Sequence, residues 1–129
     1  MLRDAVAFSG FSVNDSKAAL AFYKDTLGLD VTDSEGMGLT VTFSSGGSAF
    51  IYEKPDHVPA TFTILNFSVE DIDAVVDELA AKGVKFEHYD SMPGAQDDKE
   101  IMRGKAANMG PDIAWFKDPA GNILAVLQN

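Results

Sequence analysis

The residues able to do chemistry are few in this 129-residue chain. It has two histidines, His57 and His88, and no cysteine. His57 stands in a segment flanked by prolines, and His88 in the run Phe86-Glu87-His88-Tyr89-Asp90. No His-x-His, His-x-x-x-His or His-x-x-Glu spacing occurs, so the usual sequence signs of a zinc or iron site are missing. Both histidines read as surface or edge residues. Serines are present, but none sits in a nucleophile elbow with a histidine placed to serve it. Gly36-x-Gly38 lacks the helix that a phosphate or dinucleotide loop needs. Gly46-Gly47 reads as a hairpin turn.

The elements that must position any site come from a repeat. Phe11-Ser12-Val13-Asn14-Asp15 returns 56 residues later as Phe67-Ser68-Val69-Glu70-Asp71. Each copy opens with an apolar strand. Each then offers helix N-cap chemistry at Asp15 or Asp71, whose side-chain oxygens can take free backbone N–H groups. Leu20, Phe22, Tyr23 and Leu27 give the first helix an apolar face. Ile72, Val75, Val76 and Leu79 do so for the second at i, i+3, i+4 and i+7. Gly28 and Gly83 suit the left-handed position that stops a helix.

After the first helix, Leu29-Asp30-Val31 starts a strand. Residues 39–43 and 49–52 then make a hairpin around Ser44-Ser45-Gly46-Gly47. After the second helix, residues 84–89 read as a strand. Residues 113–116 and 123–127 form another hairpin around Asp118-Pro119-Ala120-Gly121-Asn122. The expected fold is α+β: two tandem βαβββ modules forming a curved mixed sheet around a central cleft, in a single domain over 1–129. Module one covers about 1–54, a connector about 55–61, and module two about 62–129. Residues 90–111 are the main difference between the copies. This polar stretch has no clear period and reads as a binding loop or a surface excursion.

Composition bounds the partners. Hydrophobic residues make up 46% and charged residues 23%, an ordinary globular balance. No apolar run approaches the roughly 20 residues of a membrane span, and the N-terminus lacks a signal-peptide layout. The formal net charge of −10, with no Lys/Arg cluster, argues against nucleic acid. It suits solubility or a cationic ligand. A cytoplasmic protein is expected, with no membrane or nucleic-acid partner.

Several of these residues resemble a known superfamily. Val13-x-Asp15 followed by Phe22-Tyr23-x-x-x-Leu27-Gly28-Leu29 is similar to the first-module signature of the vicinal oxygen chelate superfamily. Val69-x-Asp71, Leu79-x-x-x-Gly83-Val84 and Asp118-Pro119-x-Gly121-Asn122 are similar to its second module. That group includes glyoxalase I, extradiol dioxygenases, fosfomycin-resistance enzymes and bleomycin-resistance proteins. The resemblance implies two half-clefts facing each other. In chelating members it implies a divalent ion held by four side chains, one from the first and one from the fourth strand of each module. Such an ion acts as a Lewis acid on vicinal oxygens of the substrate.

Strand parity locates those positions here. Phe11 and Val13 are expected to face the helix, leaving Phe8, Gly10 and Ser12 to the cleft. In the repeat, Leu65, Phe67 and Val69 face the helix, with Ile64, Asn66 and Ser68 in the cleft. In the family the first-strand ligand lies seven residues before the motif aspartate, which here gives Phe8 and Ile64. The fourth-strand ligand of module two maps to Ala125. In module one the hairpin return suggests Ile51, or Glu53 if the register slips by two. Phe8, Ile51, Ile64 and Ala125 carry no metal-binding atom, so no metal and no cofactor are expected. Glu53 reads as an acid–base candidate or a solvated carboxylate.

The expected ligand-binding residues are therefore Phe8, Gly10, Ile51, Ile64, Asn66, Trp115, Ala125 and Leu127. Met102, Arg103 and Met109 of the long loop are expected as a lid. Trp115 is either a stacking wall or a core residue. The resemblance lies nearest to metal-free bleomycin-resistance proteins, which sequester a drug without converting it. The expected function is sequestration of an aromatic or cationic small molecule in an apolar cleft. The alternatives are a glyoxalase- or dioxygenase-like enzyme with displaced metal ligands, or a non-catalytic protein with a plugged cleft. The resemblance also implies a homodimer.

Overall fold

A computed structural model describes residues 1–92 and 94–129. The chain divides into two compact units, Met1–Pro59 and Ala60–Asn129. In the first, β1 (Ser9–Val13) leads to α1 (Ser16–Leu20), which continues as a π-helical segment, Ala21–Thr26. Strands β2 (Asp30–Ser34), β3 (Gly38–Thr42) and β4 (Ser48–Glu53) follow. The second unit holds β5 (Thr63–Ser68), α2 (Ile72–Ala81), β6 (Met102–Arg103), β7 (Asp112–Lys117) and β8 (Ile123–Gln128).

Each unit is a four-stranded mixed sheet with one main helix, βαβββ, and the strand orders match: β1-β4-β3-β2 and β5-β8-β7-β6. First and fourth strands run parallel, and the hairpins β3–β4 and β7–β8 are antiparallel. The repeated sequence therefore encodes a repeated topology, and the α+β expectation holds.

The caps form where the motif aspartates predict. Asp15 Oδ1 accepts from the N–H groups of Lys17 and Ala18 at 3.0 and 3.2 Å. Asp71 Oδ1 accepts from Ala74 N–H at 3.1 Å. Gly28 and Gly83 both take positive φ where the helices stop, as a residue without Cβ does at little cost. The first helix departs from regular α geometry: Leu27 N–H bonds back to the Phe22 carbonyl, five residues earlier. Tyr23, within this segment, is fully buried, with Phe22 edge-on to its ring at 5.4 Å.

The core of unit one joins Val13, Ala19, Tyr23, Val31, Leu39, Val41, Ala49 and Ile51. In unit two, Ile72, Val76 and Leu79 of α2 are buried, as are Ala114, Phe116, Leu124 and Val126 of the sheet.

One strand expectation is corrected. Residues 84–89 do not form the second strand of module two. Phe86 makes an isolated bridge to Phe116, and Glu87 N–H donates to the Trp115 carbonyl at 2.8 Å. The outer edge of β7 is instead shared. Residues 86 and 87 cover one end, while β6 pairs with Asp112 and Ile113 at the other. The long stretch between them leaves the sheet and returns to it. β6 lies inside the segment read as a loop, because two residues of strand carry no period to detect.

Candidate functional site

Register decides which side chains share a face, because laterally paired residues point the same way and neighbours along a strand alternate. In unit one, Phe11 pairs with Ile51, which pairs with Leu39. Phe11 packs against Tyr23 of the helix at 6.0 Å, so this row faces the helix. Ile51, 0% exposed, belongs to that core and is not on the open face expected for it. Glu53 pairs with Val13, also on the helix side, and its Oε1 accepts the Ser16 N–H at 3.0 Å. It caps α1. The negative charge there also suits the positive end of the helix dipole.

The open face of unit one carries two other rows. Gly10 stands beside Phe50, which stands beside Thr40, and Ser12 stands beside Tyr52. The Phe50 and Tyr52 rings stack at 6.1 Å with an interplanar angle of 21°. Gly38 makes room for this pair, since a Cβ there would collide with the Phe50 ring. Ser12 Oγ lies 2.6 Å from His57 Nδ1, tying the connector to β1. Phe8, just before β1, is 66% exposed.

Unit two repeats the arrangement with different side chains. Asn66, Ala125 and Trp115 form one row across β5, β8 and β7. Ser68, Leu127, Ile113 and Met102 form the next. Leu65, Phe67, Leu124 and Val126 occupy the helix side of the same ladder. Ile64 falls where the β5–β8 register shifts and is half-buried. Trp115 is 8% exposed and meets Tyr89 edge-on at 5.6 Å. The Tyr89 hydroxyl is buried with no hydrogen-bond partner among the described residues. Burial, with the nearby Glu87 charge, raises its pKa above the ordinary tyrosine value.

The structure thus brings Asn66, Ala125, Trp115, Leu127 and Met102 onto one face of one sheet, and Gly10 onto the open face of the other. Arg103 lies elsewhere. It pairs with Asp112 on β7, which shares the helix face with Gln128. Its guanidinium grips Asp73 of α2 through bonds of 2.7 and 3.0 Å and donates to Asp97 at 2.9 Å. Met109 is 47% exposed in the turn after β6.

Phe50, Tyr52 and Tyr89 are not marked as site residues by their sequence pattern. β4 is apolar on both faces, Ala49-Phe50-Ile51-Tyr52, so alternation gave no direction. The usable signal was the repeat itself: Gly10 and Asn66 are equivalent, and their fourth-strand neighbours are Phe50 and Ala125.

That equivalence refines the test for a chelated ion. The first- and fourth-strand positions become Phe8, Phe50, Ile64 and Ala125, with only carbon at their side-chain ends. Among the described residues, no group of three or more His, Asp or Glu side chains is placed to hold a metal ion. No described helix is long and apolar enough to cross a membrane.

Known proteins share this fold. YraH of Bacillus subtilis (strain 168), an uncharacterized protein, is 28% identical over 128 residues, covering 88% of this chain and 90% of its own. The antibiotic binding protein TnmS3 from Streptomyces sp. CB03234 superposes with a TM-score of 0.66 at 24% identity, covering 97% of both chains. The fosfomycin resistance protein FosX from Listeria monocytogenes superposes at 0.69 with 14% identity, covering 98% of this chain and 93% of its own. The family profile matches residues 5–126, and the chain belongs to the Glyoxalase/Bleomycin resistance protein/Dioxygenase superfamily.

Proposed function

We propose that this protein binds a small aromatic or cationic molecule without a metal ion and sequesters it unchanged, as bleomycin-resistance proteins do. The observation that carries this reading is that Phe8, Ile64 and Ala125, where the resemblance places metal ligands, end in carbon, as does Phe50, the fourth-strand residue beside Gly10. Apolar surface with a few placed polar groups is the usual composition of a small-molecule site. In unit one the open face offers Phe50 and Tyr52 as flat partners, and in unit two the corresponding face offers Asn66 and Ser68 as hydrogen-bonding groups. The net charge of −10 favours a cationic ligand. The protein acts in the cytoplasm as a homodimer.

The test is calorimetry on chelator-treated protein against glycopeptide antibiotics and planar aromatic cations, with Trp115 fluorescence as a second readout. Saturable binding that survives metal removal supports the proposal. Binding that appears only when a divalent ion is restored, or no binding to any of these compounds, overturns it.

A further inference from the structure

Between Phe86 and β6 one imidazole lies between two carboxylates. His88 Nδ1 lies 2.6 Å from Glu100 Oε2, and His88 Nε2 lies 2.9 Å from Asp90 Oδ1. An ionised carboxylate only accepts hydrogen bonds, so both ring nitrogens must carry protons to make both contacts. The geometry is that of an imidazolium. It closes one limb of the excursion onto the other, since Asp90 lies two residues from His88 and Glu100 twelve. Glu100 takes a positive φ of 64°, which a non-glycine residue adopts only where its surroundings hold it.

The next residue after His88 is Tyr89, whose ring packs on Trp115. We infer that the His88 imidazolium, bridging Asp90 and Glu100, positions Tyr89 against Trp115, so that the surroundings of Trp115 are linked to protonation of His88. This goes beyond the proposed function and does not depend on it, because it is read on the protein without ligand.

The surrounding contacts define the size of the change. Gln96 joins the same limbs through neutral bonds: its side chain accepts from Tyr89 N–H at 2.7 Å and donates to the carbonyls of Glu87 and Glu100, each at 2.8 Å. None of these bonds involves an ionisable group, so loss of the proton is expected to shift Tyr89 locally and not to release the whole segment. The other charges about the segment include Asp98, Glu87, paired with Lys117 of β7 at 3.3 Å, and Asp97, Lys99 and Arg103, tied among themselves and to Asp73 and Asp77 of α2. The two carboxylates raise the pKa of His88 above its ordinary value, Glu100 contributing most. A raised folded-state pKa means that the clamp is complete below about pH 6.5 and is lost as pH rises through the higher folded value.

The chain is suited to a direct test, having one tryptophan and two histidines. Trp115 fluorescence is followed from pH 5.5 to 9 in wild type, His57→Gln and His88→Gln, with NMR titration of the histidine ring protons in wild type. A sigmoidal change with midpoint above 6.5 is expected in wild type and His57→Gln, matching the NMR midpoint of His88, and absent from His88→Gln. Glu100→Gln is expected to keep the transition and move its midpoint down toward 6.5. A flat wild-type profile, a transition surviving in His88→Gln, or an unshifted midpoint in Glu100→Gln overturns the inference. Should His88→Gln not fold, the wild-type NMR midpoint and Glu100→Gln still decide it.

Discussion

Glu53 and Gln128 perform the same task in the two modules. Each reaches from the fourth strand of its module to accept the first N–H of that module's helix, at 3.0 and 2.9 Å. The helix thus receives two caps: the motif aspartate on its own chain, and a side chain from the sheet beneath it. Because Gln128 makes the contact without a charge, Glu53→Gln should keep both the bond and ligand binding. Glu53→Ala should cost about 1 kcal/mol, the usual value of a lost cap. Chemical denaturation of both variants, with binding measured alongside, checks this. A loss of function in Glu53→Gln with stability intact would return Glu53 to acid–base chemistry.

Gly10 offers a way to separate ligand binding from folding. A Cβ there would meet only the Phe50 carbonyl at 3.7 Å, an ordinary contact. Gly10→Val should therefore change stability by no more than about 1 kcal/mol, within the range of β-propensity effects. The added branch projects beside Phe50 on the open face, so affinity for the proposed ligand should fall at least about tenfold, roughly 1.4 kcal/mol. Unchanged affinity would place the ligand away from β1.

Arg103 joins the segment after α2 back onto that helix, with Asp73 as its two-point partner. The Arg103 hydrogen bonds hold the Asp73 pKa below the usual carboxylate value, and Lys99 adds to this. A depressed folded-state pKa gives stability that is present above about pH 3.9 and lost as pH falls through the lower folded value. Asp73→Asn should flatten that part of the acid-side decline. With both groups more than a third exposed, solvent screening limits the pair to about 1 kcal/mol at neutral pH. Arg103→Lys should not restore it, because an ammonium cannot reproduce the two parallel bonds. Denaturation midpoints between pH 2.5 and 7 provide the measurement.

Gly104 follows β6 where the chain turns tightly before β7. A Cβ at this position would run into the Pro111 carbonyl oxygen and the backbone of Gly110. Both are backbone atoms that cannot rotate away. Gly104→Ala should destabilise the protein by about 1–3 kcal/mol, the range for forced overpacking. Thermal unfolding of this one variant reads the effect, and an unchanged midpoint would show that the turn relaxes freely.

The sequence by itself determined the duplicated βαβββ plan, the Asp15 and Asp71 caps, the buried stripe of α2 and the β3–β4 and β7–β8 hairpins. Caps, helical stripes and turns involve residues a few positions apart, so their pattern survives in one dimension. It also showed carbon-ended side chains at Phe8, Ile64 and Ala125. What only the tertiary structure decided depends on partners far along the chain. β4 is apolar on both sides, so pairing with β1 alone turned Phe50 to the open face and Ile51 to the core. Glu53 gained its role from Ser16, 37 residues away. Arg103 found Asp73, 30 residues away. Tyr89 reached Trp115 through a stretch without any period. Side chains able to face either way, and long polar segments free to fold back, acquire direction only when the sheet and its ion pairs form.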